Sequence, residues 1–111
     1  MNQLKQFSEI IATYMRHGWR LERVLLRPET SAGLGQDAGS VFAAAAVREA
    51  EVDALWFARA SQSGREAWEL RLAAESPYAL FETFEPDEAE EDREEVRQEM
   101  EARLREYATR R

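Results

Sequence analysis

Residues 65–74 alternate between bulky apolar and polar or small side chains, and this period of two constrains the fold more than any other feature of the chain. The pattern predicts a β-strand with one apolar face. Two more apolar segments, 53–60 and 78–85, flank it, and short stretches rich in Ser, Gly and Pro separate the three. Such stretches are typical of turns, so residues 53–85 are predicted to form a three-strand antiparallel meander.

Segments near both ends of the chain predict helices. In residues 3–17 apolar side chains recur every three or four positions, and Gly18 follows where a helix C-terminus commonly takes a positive φ. Residues 19–27 predict a strand, which Pro28 ends because proline cannot donate to a ladder. Residues 87–109 predict a long helix with one narrow apolar stripe, formed by Val96, Met100, Leu104 and Tyr107.

This order of elements predicts an α+β fold. The expected sheet is mainly antiparallel and four-stranded, built from one strand plus the three-strand meander and flanked by N- and C-terminal helices. The first strand is expected at an edge of the sheet. A chain of 111 residues without an internal repeat has the length of one domain, so residues 1–111 are predicted to form a single α+β domain.

The middle of the chain is the least regular part. Residues 29–40 have no periodicity and contain three glycines, so they predict a flexible loop. Residues 33–38 match the loose dinucleotide fingerprint G-x-G-x-x-A, but such a site needs a tight strand-to-helix turn and a second parallel strand, and neither is predicted here. Residues 41–51 are rich in alanine and predict a short helix, while Phe42 and Val47 leave a strand as the alternative.

Charge and composition narrow the class of partner. The formal net charge of −7 would repel a phosphate backbone, so nucleic-acid binding is not expected. The start of the chain has no signal-peptide pattern, and no apolar stretch is long enough to span a bilayer. With no cysteine present, these features predict a cytoplasmic protein without a membrane partner. Fourteen of the fifteen basic residues are arginine, which with the abundant alanine indicates a GC-rich, bacterial genome.

The sequence offers no legible catalytic apparatus. The absence of cysteine excludes thiolate catalysis and sulfur-ligated zinc. The single histidine, His17, lies in the last turn of a predicted helix, where a capping role explains it. The acidic residues between Glu85 and Glu95 lack the glycine-hinged loop of an EF-hand and indicate a solvated helix start. We therefore expect no catalytic residue, metal or cofactor, and these features together argue against an enzyme.

Aromatic side chains fall on both faces of the predicted meander. If the first turn has an even number of residues, Phe57 shares a face with Trp68, and Trp56 points the other way, towards an arginine of the neighbouring strand. Two registers are open for the last hairpin, and one of them places Phe81 outward. Either helices of the same chain cover the second face, or that face is buried against a partner.

The leading functional hypothesis is a non-catalytic protein-interaction domain that forms a homodimer through a sheet face or an edge strand. Its candidate interface residues are Trp56, Phe57, Trp68 and Phe81. The sequence does not distinguish a second copy from a different protein as the partner. The alternative hypothesis is a small-ligand-binding or enzymatic domain that uses the glycine-rich loop 29–40 as a lid or cradle.

Overall fold

The structure is a computed structural model that describes residues 3–110. A five-stranded mixed sheet lies at its centre. The strands are β1 (Arg20–Leu26), β2 (Ala46–Glu49), β3 (Ala54–Ala60), β4 (Glu66–Leu72) and β5 (Ala79–Phe84), in the spatial order β2-β1-β3-β4-β5. β1 and β2 are parallel, and the other neighbouring pairs are antiparallel. The helices are α1 (Gln3–Arg16), α2 (Pro28–Leu34), α3 (Asp37–Phe42) and α4 (Glu90–Thr109). The α+β class, the terminal helices and the β3-β4-β5 meander are thus confirmed.

Strand β2 corrects the predicted sheet. The sequence predicts a short helix over 41–51 and four strands, but residues 46–49 form a fifth strand, in which Val47 pairs with Val24 of β1. The backbone of β1 offers hydrogen bonds along its free side, and these outweigh the helix propensity of alanine, which is a weak preference. As a result β1 lies between β2 and β3 and not at the edge of the sheet.

The segment 29–40, predicted as a flexible loop, is largely helical in α2 and α3. Pro28 occupies the first turn of α2, where its fixed φ suits the helix. The Asp53 carboxylate caps this end: it accepts hydrogen bonds from the Arg27 backbone N–H at 2.8 Å and from the buried Thr30 hydroxyl at 2.7 Å. Because α2 and α3 join the parallel strands β1 and β2, residues 20–49 form the βαβ unit that the sequence did not predict.

The first hairpin has the opposite register to the predicted one. Ala60 pairs with Glu66, so residues 61–65 form a turn with an odd number of residues. Ser63 takes a φ of 58°, which accommodates the additional residue. The change of parity places Trp56 on the same side of the sheet as Trp68, and Phe57 on the other side.

Helices of the same chain cover both faces of the sheet. On one face, residues of α1, α2 and α3 pack against Leu55 and Phe57 of β3. On the other face, α4 packs against Trp56, Trp68 and Leu70. The first of the two explanations for the aromatic side chains, cover within the chain, therefore holds for the two faces.

Helix α1 ends as predicted, at a glycine in the left-handed region. Gly18 has a φ of 86°, its N–H donates to the Met15 carbonyl, and the Trp19 N–H donates to the Tyr14 carbonyl at 3.1 Å. The rings of Tyr14 and Trp19 also meet edge to face, with centroids 6.0 Å apart. These bonds and the apolar contact form a Schellman motif, which fixes the direction in which the chain enters β1.

A buried arginine helps to hold α4 on the sheet. Arg97 is 1% exposed, and its guanidinium carbon lies 4.0 Å from the centroid of the Trp68 ring. Its Nη1 donates to Glu90 at 2.6 Å and to Glu94 at 2.9 Å. Hydrogen bonds from Arg23 first of all, and then from neighbouring groups that include Arg97, lower the pKa of Glu94 to about 2. The carboxylate therefore stays ionised and paired in all but strongly acidic solution.

A buried glutamate forms a second polar contact of α4. Glu101 accepts hydrogen bonds from the indole Nε1 of Trp56 at 2.8 Å and from Arg48 of β2 at 2.7 Å. The apolar stripe predicted for this helix is confirmed at Met100 and Leu104, which are both buried. The stripe alone is narrow, and the buried charged side chains widen the contact enough for one helix to cover a face of the sheet.

Candidate functional site

The four predicted interface residues lie in different environments. Trp56 and Phe57 have no exposed surface, and Trp68 is nearly buried, because α1 and α4 cover the two faces of the sheet. Phe81 is 58% exposed and lies at the edge of the sheet, in β5. Trp56, Phe57 and Trp68 are therefore core residues in this fold, and Phe81 is the one of the four that presents surface to a partner.

On the outer side of β5, backbone groups face no neighbouring strand among residues 3–110. The Leu72 N–H donates to the Tyr78 carbonyl at 2.9 Å, and the antiparallel ladder between β4 and β5 continues from this pair. Backbone N–H and C=O groups point to alternate sides along a strand. The groups of Ala79, Phe81 and Thr83 therefore face away from β4, towards the open side of the sheet.

Strand β5 has few of the features that block pairing at an edge. Natural sheets protect edges with lysines, prolines, bulges or very short strands. Over its six residues β5 contains no Lys, Arg or Pro. Its one charged residue, Glu82, occupies a single outward group, because its carboxylate accepts a hydrogen bond from the Thr83 N–H at 3.3 Å. The opposite edge strand, β2, is only four residues long and carries two charges, Arg48 and Glu49. The two edges of the sheet are thus unequally protected.

Phe81 is part of a small aromatic group at this edge. Its ring contacts the Trp19 ring edge to face, with centroids 6.3 Å apart. The guanidinium carbon of Arg59 lies 4.4 Å from the centroid of the same Trp19 ring. Trp19 is almost buried, so Phe81 is the part of the group that reaches solvent. A large apolar ring beside unpaired backbone groups is the surface that strand addition uses.

Tyr14 and Glu69 form a hydrogen-bonded pair on the same face of the sheet as Phe81 and Trp19. The Tyr14 hydroxyl donates to the Glu69 carboxylate, and the Tyr14 ring stacks on Phe57 with centroids 4.0 Å apart. Burial first, and then the bond to Glu69, raises the pKa of Tyr14 to about 12. A phenol with such a pKa keeps its proton near neutral pH, so Tyr14 remains a hydrogen-bond donor to Glu69.

A cleft of about 460 Å³ opens beyond the carboxyl ends of β1 and β4. Its charged lining residues are Arg27, Asp53 and Glu75, and Val52 and Leu72 contribute apolar surface. The Arg27 side chain is partly exposed, and its Nε lies 3.5 Å from Asp53 Oδ2. This volume is within the range of small-molecule pockets, roughly 300–1,000 Å³.

The other sequence features have structural explanations. The Nδ1 of His17 lies 2.8 Å from the Thr13 carbonyl in the last turn of α1, which agrees with the predicted capping role. Within the fingerprint 33–38, Gly33 lies inside α2, and the start of that helix is occupied by the Asp53 carboxylate. The dinucleotide motif therefore does not form the strand-to-helix turn that its chemistry requires.

Across residues 3–110, no cluster of three or more His, Asp or Glu side chains is arranged to hold a metal ion. None of the helices in this part of the chain combines the length and apolar character needed to cross a membrane. Comparison with protein families, with curated proteins and with solved structures finds no match for this chain.

Proposed function

We propose that this chain is a non-catalytic protein-interaction domain of the bacterial cytoplasm that forms a homodimer by strand addition at β5. The single observation that supports the proposal is the open β5 edge: within residues 3–110, backbone groups that face no neighbouring strand lie beside the exposed ring of Phe81. The faces of the sheet are covered within the chain, so the edge-strand form of the homodimer hypothesis is the one proposed.

A second copy is the partner that suits this edge best. An isolated strand edge pairs with any strand, but a copy of β5 offers the same length, the same low charge and the same aromatic ring. Pairing two such edges satisfies backbone groups of both chains and removes both rings from water. The second copy also removes the exposed edge itself, which is otherwise a site for uncontrolled association.

Sedimentation velocity over a concentration series tests the proposal. The unmodified protein is expected to be dimeric at micromolar concentration, and Phe81→Lys is expected to be monomeric, because a lysine on an edge strand opposes pairing. The matched control is Val47→Lys, which places the same charge at an exposed apolar residue of the other edge strand. The control should dimerise like the unmodified protein, and circular dichroism should show that both variants fold.

Two results would contradict the proposal. An unmodified protein that stays monomeric at high micromolar concentration has no homodimer to explain. Equal loss of dimer in Phe81→Lys and Val47→Lys would mean that added charge, and not the β5 edge, controls association.

The cleft beside Arg27 supports a second candidate function, small-ligand binding, at a different place from the predicted loop 29–40. Arg27 is the one basic side chain among the described residues that line this cleft, and its partly exposed guanidinium suits a ligand that carries a phosphate or carboxylate group. Such a ligand would compete with Asp53 and Glu29, which lie 3.5 and 4.0 Å from the guanidinium. A thermal-shift screen with nucleotides and sugar phosphates tests it, since a ligand at 100 times its Kd stabilises by about 2.7 kcal/mol. Stabilisation should disappear in Arg27→Gln; no shift with any compound would count against this function.

A further inference from the structure

We infer that the two β5 strands of the dimer run antiparallel with the two-fold axis at Phe81, so that Phe81 lies opposite Phe81 of the second copy. The inference rests on the proposed homodimer and specifies its geometry. It follows from which backbone groups of β5 face outward and from where its one charge lies.

The backbone pattern favours an axis at Phe81. The outward groups belong to Ala79, Phe81 and Thr83, and Phe81 is the middle one. A two-fold axis at Phe81 pairs Ala79 of each copy with Thr83 of the other. Every outward N–H and C=O of the strand then has a partner, once the Thr83 N–H exchanges its bond to the Glu82 carboxylate for one to the second copy. Moving the axis one residue back, to Leu80, brings Thr83 opposite Pro77 of the second copy, which has no N–H to donate.

Charge excludes the other neighbouring register. With the axis one residue further on, Glu82 would lie directly opposite Glu82 of the second copy, in a non-hydrogen-bonded pair where side chains come closest. Like charges in that position are destabilising. With the axis at Phe81, Glu82 lies opposite Leu80 instead, and the two carboxylates are offset along the strands. The same sequence that leaves the edge open thus selects one register.

The side chains agree with this register. Phe81 lies on the same face as Trp19, whose ring it meets at 6.3 Å. Residues in a hydrogen-bonded antiparallel pair have Cα atoms about 5.5 Å apart, which allows two aromatic rings to contact each other. The two Phe81 rings would then join the two Trp19 rings in one aromatic cluster across the axis.

Disulfide formation tests the register, because the natural chain contains no cysteine and every introduced thiol is therefore the only one. Single variants Ala79→Cys and Thr83→Cys keep both Phe81 and the Glu82 carboxylate in place. Each is oxidised alone and in a mixture of the two, and the products are separated by non-reducing electrophoresis. A disulfide needs Cα atoms about 4.4–6.8 Å apart.

The proposed register predicts one product. Ala79→Cys mixed with Thr83→Cys should give a mixed disulfide, whereas each variant alone should not cross-link. Residue 79 of one copy is four positions from residue 79 of the other, about 13 Å along the strand.

The other outcomes separate the two proposals. Self-cross-linking of Ala79→Cys or Thr83→Cys, or a protein that sediments as a dimer without the mixed disulfide, overturns the register while the homodimer stands. A protein that neither cross-links nor sediments as a dimer overturns both the register and the proposed function.

Discussion

Replacing Arg97 distinguishes packing from charge as the force that holds α4 on the sheet. The side chain fills the space between α4, Trp68 and Phe84, and its Nε is buried without a hydrogen-bond partner among the described residues. Arg97→Ala and Arg97→Met both remove the cation, but only the alanine variant also empties the space. The comparison therefore isolates the contribution of packing.

The structure sets the expected magnitudes. Truncating a buried side chain of this length costs about 2–5 kcal/mol, and the lost cation–π contact adds up to about 2 kcal/mol. Removing the unpaired buried Nε offsets about 1–3 kcal/mol of this. The carboxylate partners lose little, because Glu90 is mostly exposed and Glu94 keeps its bonds to Arg23. We expect Arg97→Ala to lower the free energy of unfolding by about 2–3 kcal/mol. Arg97→Met should change it by less than about 1 kcal/mol, because a buried ion pair can often be replaced by an apolar residue of similar size.

Urea unfolding followed by tryptophan fluorescence at neutral pH measures both values, provided that the m-value, the slope of the unfolding free energy against urea concentration, is the same in all variants. Arg103→Ala, at an exposed position of the same helix, is the matched control and should change the free energy of unfolding by less than about 0.5 kcal/mol. If Arg97→Met were as unstable as Arg97→Ala, the charge and not the packing would hold the helix. If Arg97→Ala were as stable as the control, the buried position of Arg97 would be refuted.

Two further predictions concern pH. In Tyr14→Phe, ultraviolet titration should lack the tyrosine ionisation with a pKa of about 12. Because that pKa lies above the ordinary value of 10.0, the unmodified protein should lose stability relative to the variant between pH 10 and 12. An ionisation of Tyr14 near pH 10 in the folded protein would contradict this prediction. The pKa of Glu94 is lowered from 4.5 to about 2, so its stabilising contribution is present above pH 4.5 and is lost as the pH falls towards 2. The Tm of the unmodified protein should therefore fall more steeply over that window than the Tm of Glu94→Gln, and equal slopes would show that the carboxylate is not paired in the folded state.

The candidate site was only partly predictable because residue type does not reveal depth. Trp56, Phe57, Trp68 and Phe81 are all large aromatic residues, and the sequence pattern assigns them to faces of the sheet but not to a depth. Three of them are buried because α1 and α4 dock on the sheet. The fourth is exposed because, within residues 3–110, β5 has no neighbouring strand on its outer side. Whether such a residue is buried or exposed depends on which strand lies at the edge of the sheet, and this is a property of the whole fold.

Patterns within one element determined what the sequence could predict. The alternation in β4, the three- and four-residue spacing in α1 and the glycine after α1 each depend on neighbours a few residues away, so local physics fixes them. These patterns were sufficient for the meander, for the terminal helices and for the α+β class.

Contacts between distant segments decided the rest. The strand β2 forms because β1 offers it hydrogen bonds, and the turn at 61–65 sets which face Trp56 occupies. Arg97 and Glu101 resemble surface residues in the sequence and are buried only because partners from the sheet lie beside them. The physical reason is common to all: hydrogen bonds, ring contacts and burial between segments far apart in the chain leave no periodic signal in either segment alone.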